Sequence, residues 1–161
     1  MKKAENSGFR TSRGYQIISQ QEGALTSSME DYLEMIYREC SQSGYTRVGQ
    51  VSEMLHVKPS SASKMIFKLT DMGYLKYDRY EIIQLTEKGK TAGEALLRRH
   101  TIIEDFLRSV GSPNSLEETE LIEHSLSDAT VESLHALNEY FRSDARAESG
   151  YREMRRKEKH K

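Results

Sequence analysis

The chain has a single cysteine, Cys40, among its 161 residues. That excludes an internal disulfide and a thiolate metal cluster, so any metal here must be held by oxygen and nitrogen. No apolar run approaches the roughly 18 residues of a membrane span, and the polar opening Met-Lys-Lys-Ala-Glu-Asn-Ser has no apolar stretch behind it to serve as a signal peptide. The expected setting is the cytoplasm, with no membrane partner. What remains, 30% charged residues and a mean hydropathy of −0.74, is the composition of a surface-rich, largely helical protein of one domain or two small ones.

Acids are scarce in one region and bases in another. Residues 47–79 hold six bases (Arg47, Lys58, Lys64, Lys68, Lys76, Arg79) against Glu53, Asp71 and Asp78. Residues 100–141 set Arg108 alone against nine acids: Glu104, Asp105, Glu117, Glu118, Glu120, Glu123, Asp128, Glu132 and Glu139. A polyanion is steered to the first region and repelled by the second. The division predicts a nucleic-acid-binding half and a cation-binding half.

Residues 1–26 are polar and without sustained period, a flexible arm in which Arg10 and Arg13 are available to phosphates. A helix follows, with Ser28 as its cap, Met29, Leu33, Ile36 and Tyr37 at helical spacing, and Gly44 as its stop. On their own, Asp31 and Glu34 are ordinary acids near a helix start. Val48, Val51, Met54 and Leu55 then make a short helix, and Pro59 opens a second one. There Ala62, Met65, Ile66 and Leu69 point inward and leave Ser60, Ser61, Ser63, Lys64, Phe67 and Lys68 outward. Small hydroxyls and amines on one face suit entry into a DNA major groove.

Tyr-Leu-Lys-Tyr at 74–77 and Glu-Ile-Ile-Gln-Leu at 81–85 read as a strand pair with Arg79 and Tyr80 at the tip, near phosphates or the minor groove. Helix-turn-helix followed by a hairpin is the order of a winged helix. One long helix over residues 86–110 carries His100 and ends at Gly111. A later helix from Ser127 has an apolar stripe of Val131, Leu134, Leu137, Tyr140 and Phe141, which reads as core, as partner surface or as both, and the chain closes in a charged helix or frayed tail.

Residues 118–128 read as a helix with Glu120, Glu123 and His124 at i, i+3 and i+4, hence on one face. Two carboxylates and an imidazole so placed make half a divalent-metal site. The same pattern also describes a solvated acidic face, and a lone helical His100 reads as an ordinary satisfied histidine.

Taken together, these motifs resemble the manganese-responsive transcriptional regulators of the diphtheria toxin repressor superfamily. The matching stretches are Ser-Met-Glu-Asp-Tyr-Leu-Glu-Met-Ile-Tyr at 28–37, Val-Lys-Pro-Ser-Ser-Ala-Ser-Lys-Met at 57–65, Leu-Thr-Glu-Lys-Gly at 85–89, Arg-His-Thr-Ile-Ile-Glu-Asp-Phe-Leu at 99–107 and Glu-His-Ser-Leu-Ser at 123–127. The resemblance implies a two-ion site on Asp31, Glu34, His100, Glu120, Glu123 and His124. Ser125 stands where these regulators often carry a second histidine. Iron-type relatives have Met and Cys in place of Asp31 and Glu120, and they have a C-terminal SH3-like domain that has no counterpart here. The resemblance is thus to the short, manganese-type branch.

The expected fold is mainly α with a small β-hairpin. Residues 27–90 form a winged helix-turn-helix DNA-binding domain, residues 91–145 a helical metal-binding and dimerisation domain, and residues 146–161 a charged tail. DNA contacts are expected from Pro59, Ser60, Ser61, Ser63, Lys64, Lys68, Arg79 and Tyr80. Oxygen and imidazole donors suit two Mn²⁺ per subunit, with Fe²⁺, Co²⁺, Zn²⁺ or Cd²⁺ as substitutes. The implied activity is a Mn²⁺-activated repressor of manganese uptake genes, a homodimer on a double-stranded operator that takes no small organic substrate. Two rival readings of the residues stay open: a binuclear metalloenzyme, and a winged-helix sensor of an organic ligand.

Overall fold

The computed structural model describes residues 24–78 and 80–158, so Arg10, Arg13 and Arg79 lie outside the described residues. Helix α1 (Ser27–Ser43) is capped by Thr26, whose hydroxyl accepts from the Met29 N–H at 3.3 Å; Ser28, expected as the cap, is already inside the helix. Thr26 has the extended backbone a cap requires (φ −76°, ψ 156°). Tyr32, Leu33, Ile36 and Cys40 form the buried stripe of α1. Gly44 ends it at φ 79°, donating its N–H to the Cys40 carbonyl at 2.8 Å.

A two-residue strand, β1 (Thr46–Arg47), leads into α2 (Val48–Met54) and α3 (Pro59–Asp71), with Pro59 in the first turn of α3. The hairpin follows as β2 (Leu75–Tyr77) and β3 (Ile82–Leu85). Glu81, expected in the second strand, takes φ 60° instead and belongs to the wing turn. The sheet has three antiparallel strands in the order β1-β3-β2, with Thr46 opposite Ile83. The expected hairpin therefore gains a strand, and Thr46 and Ile83 are both fully buried where it joins.

Helix α4 (Glu87–Ser109), capped by the Thr86 hydroxyl on the Gly89 N–H, runs through the expected domain boundary at residue 90 without a break. Its N-terminal half lies close against the winged helix: a β-carbon at Gly89 would overlap the Tyr74 carbonyl oxygen. The chain continues as α5 (Ser115–Ile122), a 3-10 turn (Glu123–Ser125), α6 (Asp128–Ser143) and α7 (Ala145–Glu158). No described helix is long and apolar enough to cross a membrane.

Two cores result. The larger joins α1, α2, α3, the sheet and the start of α4 through Leu33, Ile36, Val51, Ile66, Leu69, Ile83 and their neighbours. The smaller has only Ile102, Ile103 and Val131 as its buried members, with Leu107, Leu126 and Leu134 packed on them. The stripe expected along α6 is accordingly split. Val131 is buried, but Leu137 and Tyr140 are 43% and 55% exposed, because the small core ends before it reaches them. With Leu116, Leu121 and Ile122 of α5, they leave apolar side chains uncovered on the helical half.

Candidate metal centre

His100 stands midway along α4, 4% exposed, and carboxylates from three segments close on its Nδ1. Glu123 of the 3-10 turn is nearest, with Oε2 at 3.2 Å; Glu120 Oε1 of α5 lies at 3.7 Å and Glu34 Oε1 of α1 at 3.8 Å. One donor atom each from Glu34, His100 and Glu123 falls within a mutual 4.8 Å, and all three residues are buried. Glu34 is steadied by Arg38 one turn on, whose Nε and Nη2 donate to Oε1 at 3.0 and 2.6 Å. On the other side of the ring, Glu104 Oε2 stands 3.9 Å from Nε2.

His124 holds a second group. Its Nδ1 is 2.6 Å from Glu30 Oε2, its Nε2 is 2.6 Å from Asp31 Oδ1, and Glu123 Oε1 lies 3.9 Å from Nε2. Glu123 therefore stands between the two imidazoles. All six residues expected as donors meet in this one region, where α1, α4, α5 and the 3-10 turn converge.

The electrostatics are those of crowded acids short of cations. Hydrogen bonds to Asp31 and then Glu30 push the His124 imidazolium up to about 10. The bond to Glu123 raises His100 against the opposing effect of burial. Glu120 is raised by desolvation first, then by the Glu123 charge. Each group favours the protonation state that reduces net negative charge, so a cation of higher charge has a ready place here.

The helix expected over 118–128 does not run its length. It stops at Ile122, Glu123 to Ser125 tighten into the 3-10 turn, and Leu126 is extended ahead of the Ser127 cap of α6. The tightening turns Glu123 inward to 3% exposure while Glu120 keeps a half-exposed side chain. Sequence reading missed Glu30 and Glu104; their only signals are adjacency to Asp31 and the i+4 step from His100. The donor set is hard oxygen and imidazole and fits a hard or borderline divalent cation. Cys40 takes no part, its thiol donating to the Ile83 carbonyl at 3.7 Å within the larger core.

Along α3, Pro59, Ser60, Ser61, Lys64 and Lys68 are exposed, and Ser63 is half-buried with its hydroxyl donating to the Pro59 carbonyl at 3.0 Å. Phe67, 54% exposed, meets the Tyr77 ring edge-on at 5.3 Å and braces α3 against the wing. In the wing turn, Asp78 Oδ1 accepts from the Tyr80 and Ile82 N–H groups, and Arg47 Nη1 donates to the Tyr80 carbonyl at 3.3 Å. The Tyr80 side chain is 60% exposed.

Two family models match the chain: the iron dependent repressor N-terminal DNA binding domain over residues 24–82, and the iron dependent repressor metal binding and dimerisation domain over residues 86–150. The chain is 40% identical over 134 residues to the HTH-type transcriptional regulator MntR of Geobacillus thermodenitrificans, a match spanning 82% of this chain and 95% of that one. Among solved structures it is similar to the manganese regulator SloR, at 33% identity and TM-score 0.59, over 70% of this chain and 54% of that one. It is also similar to a manganese-dependent transcriptional repressor in complex with manganese, at 27% identity and TM-score 0.57, over 70% and 53%. The chain spans about half the length of these solved regulators. Such relatives are regulators of transcription and not enzymes, which sets aside the metalloenzyme.

Proposed function

The chain belongs to the iron-dependent repressor family of metal-dependent, DNA-binding transcriptional repressors with a dimerisation domain, and we propose that within it this protein is a Mn²⁺-activated repressor of manganese uptake. The observation that carries the reading is the all-oxygen-and-imidazole cluster joining α1 to α4 and the 3-10 turn. Asp31, Glu34, His100, Glu120, Glu123 and His124 would hold two ions per subunit, and Fe²⁺, Co²⁺, Zn²⁺ or Cd²⁺ could substitute. Asp31 and Glu120, where sulfur would favour softer ions, favour Mn²⁺.

A bound cation supplies the positive charge that lets these carboxylates approach without repulsion. Glu34 and Asp31 sit on α1, which is packed into the core of the winged helix. His100 and Glu123 belong to the helical half. Drawing the four together fixes α1 against α4 and sets the spacing of the two α3 helices of a homodimer for two operator half-sites. Residues 27–90 would be the DNA-binding domain and residues 91–145 the metal-binding and dimerisation domain. Pro59, Ser60, Ser61, Ser63, Lys64 and Lys68 would enter the major groove, with Arg79 and Tyr80 at the wing.

The test selects DNA from a random-sequence pool with Mn²⁺-loaded protein, then titrates the selected duplex under anaerobic Mn²⁺, Fe²⁺ and Zn²⁺. Tight binding with Mn²⁺ that is lost on chelation is expected. Equal binding with and without chelator would instead favour a sensor of an organic ligand.

A further inference from the structure

We propose that Glu30 is a positioning residue of this centre, holding Nδ1 of His124 so that Nε2 faces Asp31 and the ion. The inference rests on the assignment of Asp31 and His124 as metal donors. Glu30 closes the first turn of α1 and Asp31 follows it directly, and neighbouring helical side chains diverge by roughly 100° around the axis. Here the divergence is used to straddle one ring, with Glu30 Oε2 2.6 Å from Nδ1 and Asp31 Oδ1 2.6 Å from Nε2.

A neutral imidazole has two tautomers, and the nitrogen that offers its lone pair is set by what the other nitrogen donates to. A carboxylate on Nδ1 fixes the N–H there and leaves Nε2 for the metal. The ring is 14% exposed and Glu30 21%, so water competes poorly for the Nδ1 bond. Among the described residues, the ion-pair partner of Glu30 is His124, and its place in the first turn of α1 lets the helix dipole favour its charge. The imidazole itself separates Glu30 from the Asp31 side, where an ion would sit. Glu30 thus acts through the ring and not on the metal.

The experiment compares Glu30→Ala, Glu30→Gln and His124→Ala in the full chain. Mn²⁺ affinity and stoichiometry are read by calorimetry, the His124 tautomer by ¹⁵N NMR of Cd²⁺-loaded protein, and folding by circular dichroism. Glu30→Ala should bind as many ions as wild type, about 10- to 100-fold more weakly, with the ring spread over both tautomers. Glu30→Gln, whose amide oxygen still accepts from Nδ1–H, should recover most of the affinity. If Glu30→Ala does not fold, Glu30→Leu, which fills much of the space and lacks an acceptor, replaces it. Wild-type affinity and one tautomer in Glu30→Ala would overturn the proposal, as would the loss of an ion, which would make Glu30 a ligand. If His124→Ala weakens Mn²⁺ binding and Glu30→Ala does not, only the positioning role fails. If His124→Ala binds like wild type, the donor assignment fails and the proposal with it.

Discussion

Gly93 of α4 and Tyr37 of α1 meet so closely that a β-carbon at position 93 would stand 2.5 Å from the Tyr37 Cβ. The contact lies between the helix bearing Glu34 and the helix bearing His100. Gly93→Ala should force the two apart, cost about 1–3 kcal/mol of stability and weaken Mn²⁺ binding as well. Gly49→Ala is the control, since a β-carbon there meets nothing within 4 Å. Thermal melts and calorimetry on both variants decide the matter; equal Mn²⁺ affinity in the two would separate this contact from the centre.

Lys64, exposed on α3, is expected to meet a phosphate. Lys64→Ala should weaken binding to the selected duplex and reduce the slope of log K against log[salt] by about 1. Metal binding should be untouched. A variant that loses Mn²⁺ affinity and keeps DNA affinity would refute the division of labour between the halves.

Metal choice is placed on Asp31 and Glu120. The double change Asp31→Met with Glu120→Cys introduces sulfur donors, which favour Fe²⁺, Co²⁺ or Zn²⁺ over Mn²⁺. Mn²⁺-activated DNA binding should disappear while some response to the other ions persists. Glu123→Ala, removing the carboxylate between the two imidazoles, should abolish response to all of them. Fluorescence anisotropy against each free ion reads both, and an unshifted Mn²⁺ response in the folded double variant would take Asp31 and Glu120 out of the site.

Cys40 gives a pH signature independent of metal. Burial pushes its thiol from 9.0 up to about 11. Between those values the unfolded chain holds fewer protons than the native one, so stability should fall as pH rises through that window. At pH 8 iodoacetamide should label Cys40 slowly in native protein and rapidly in denaturant. Fast native labelling would mean that the larger core opens readily.

The long helices and the buried and exposed faces of α3 were legible because apolar period and caps are local signals; Thr86, Gly44 and Pro59 each mark a boundary with their own chemistry. β1 was not, since two residues cannot show alternation and its pairing with Ile82 and Ile83 is made across a long stretch of sequence. The six residues expected as donors came from the resemblance, whereas spacing alone put Glu120, Glu123 and His124 on one helical face. That geometry failed at Ile122, where the Ser127 cap of the next helix leaves too little chain for another α turn. Glu30 escaped notice because an acid in a first turn already has a sufficient local explanation.

The inequality of the two cores has a consequence for how the protein opens. Amides of α1 and α3 lie over a dozen buried side chains, whereas α6 is held to α4 by a core with only Ile102, Ile103 and Val131 buried. Local opening follows the apolar contact each segment would lose. In the metal-free monomer, deuterium should therefore enter α5 and α6 well before α1 and α3, and added Mn²⁺ should slow exchange chiefly in the first pair. The half that reads the ion would then be the half that is incompletely folded without it.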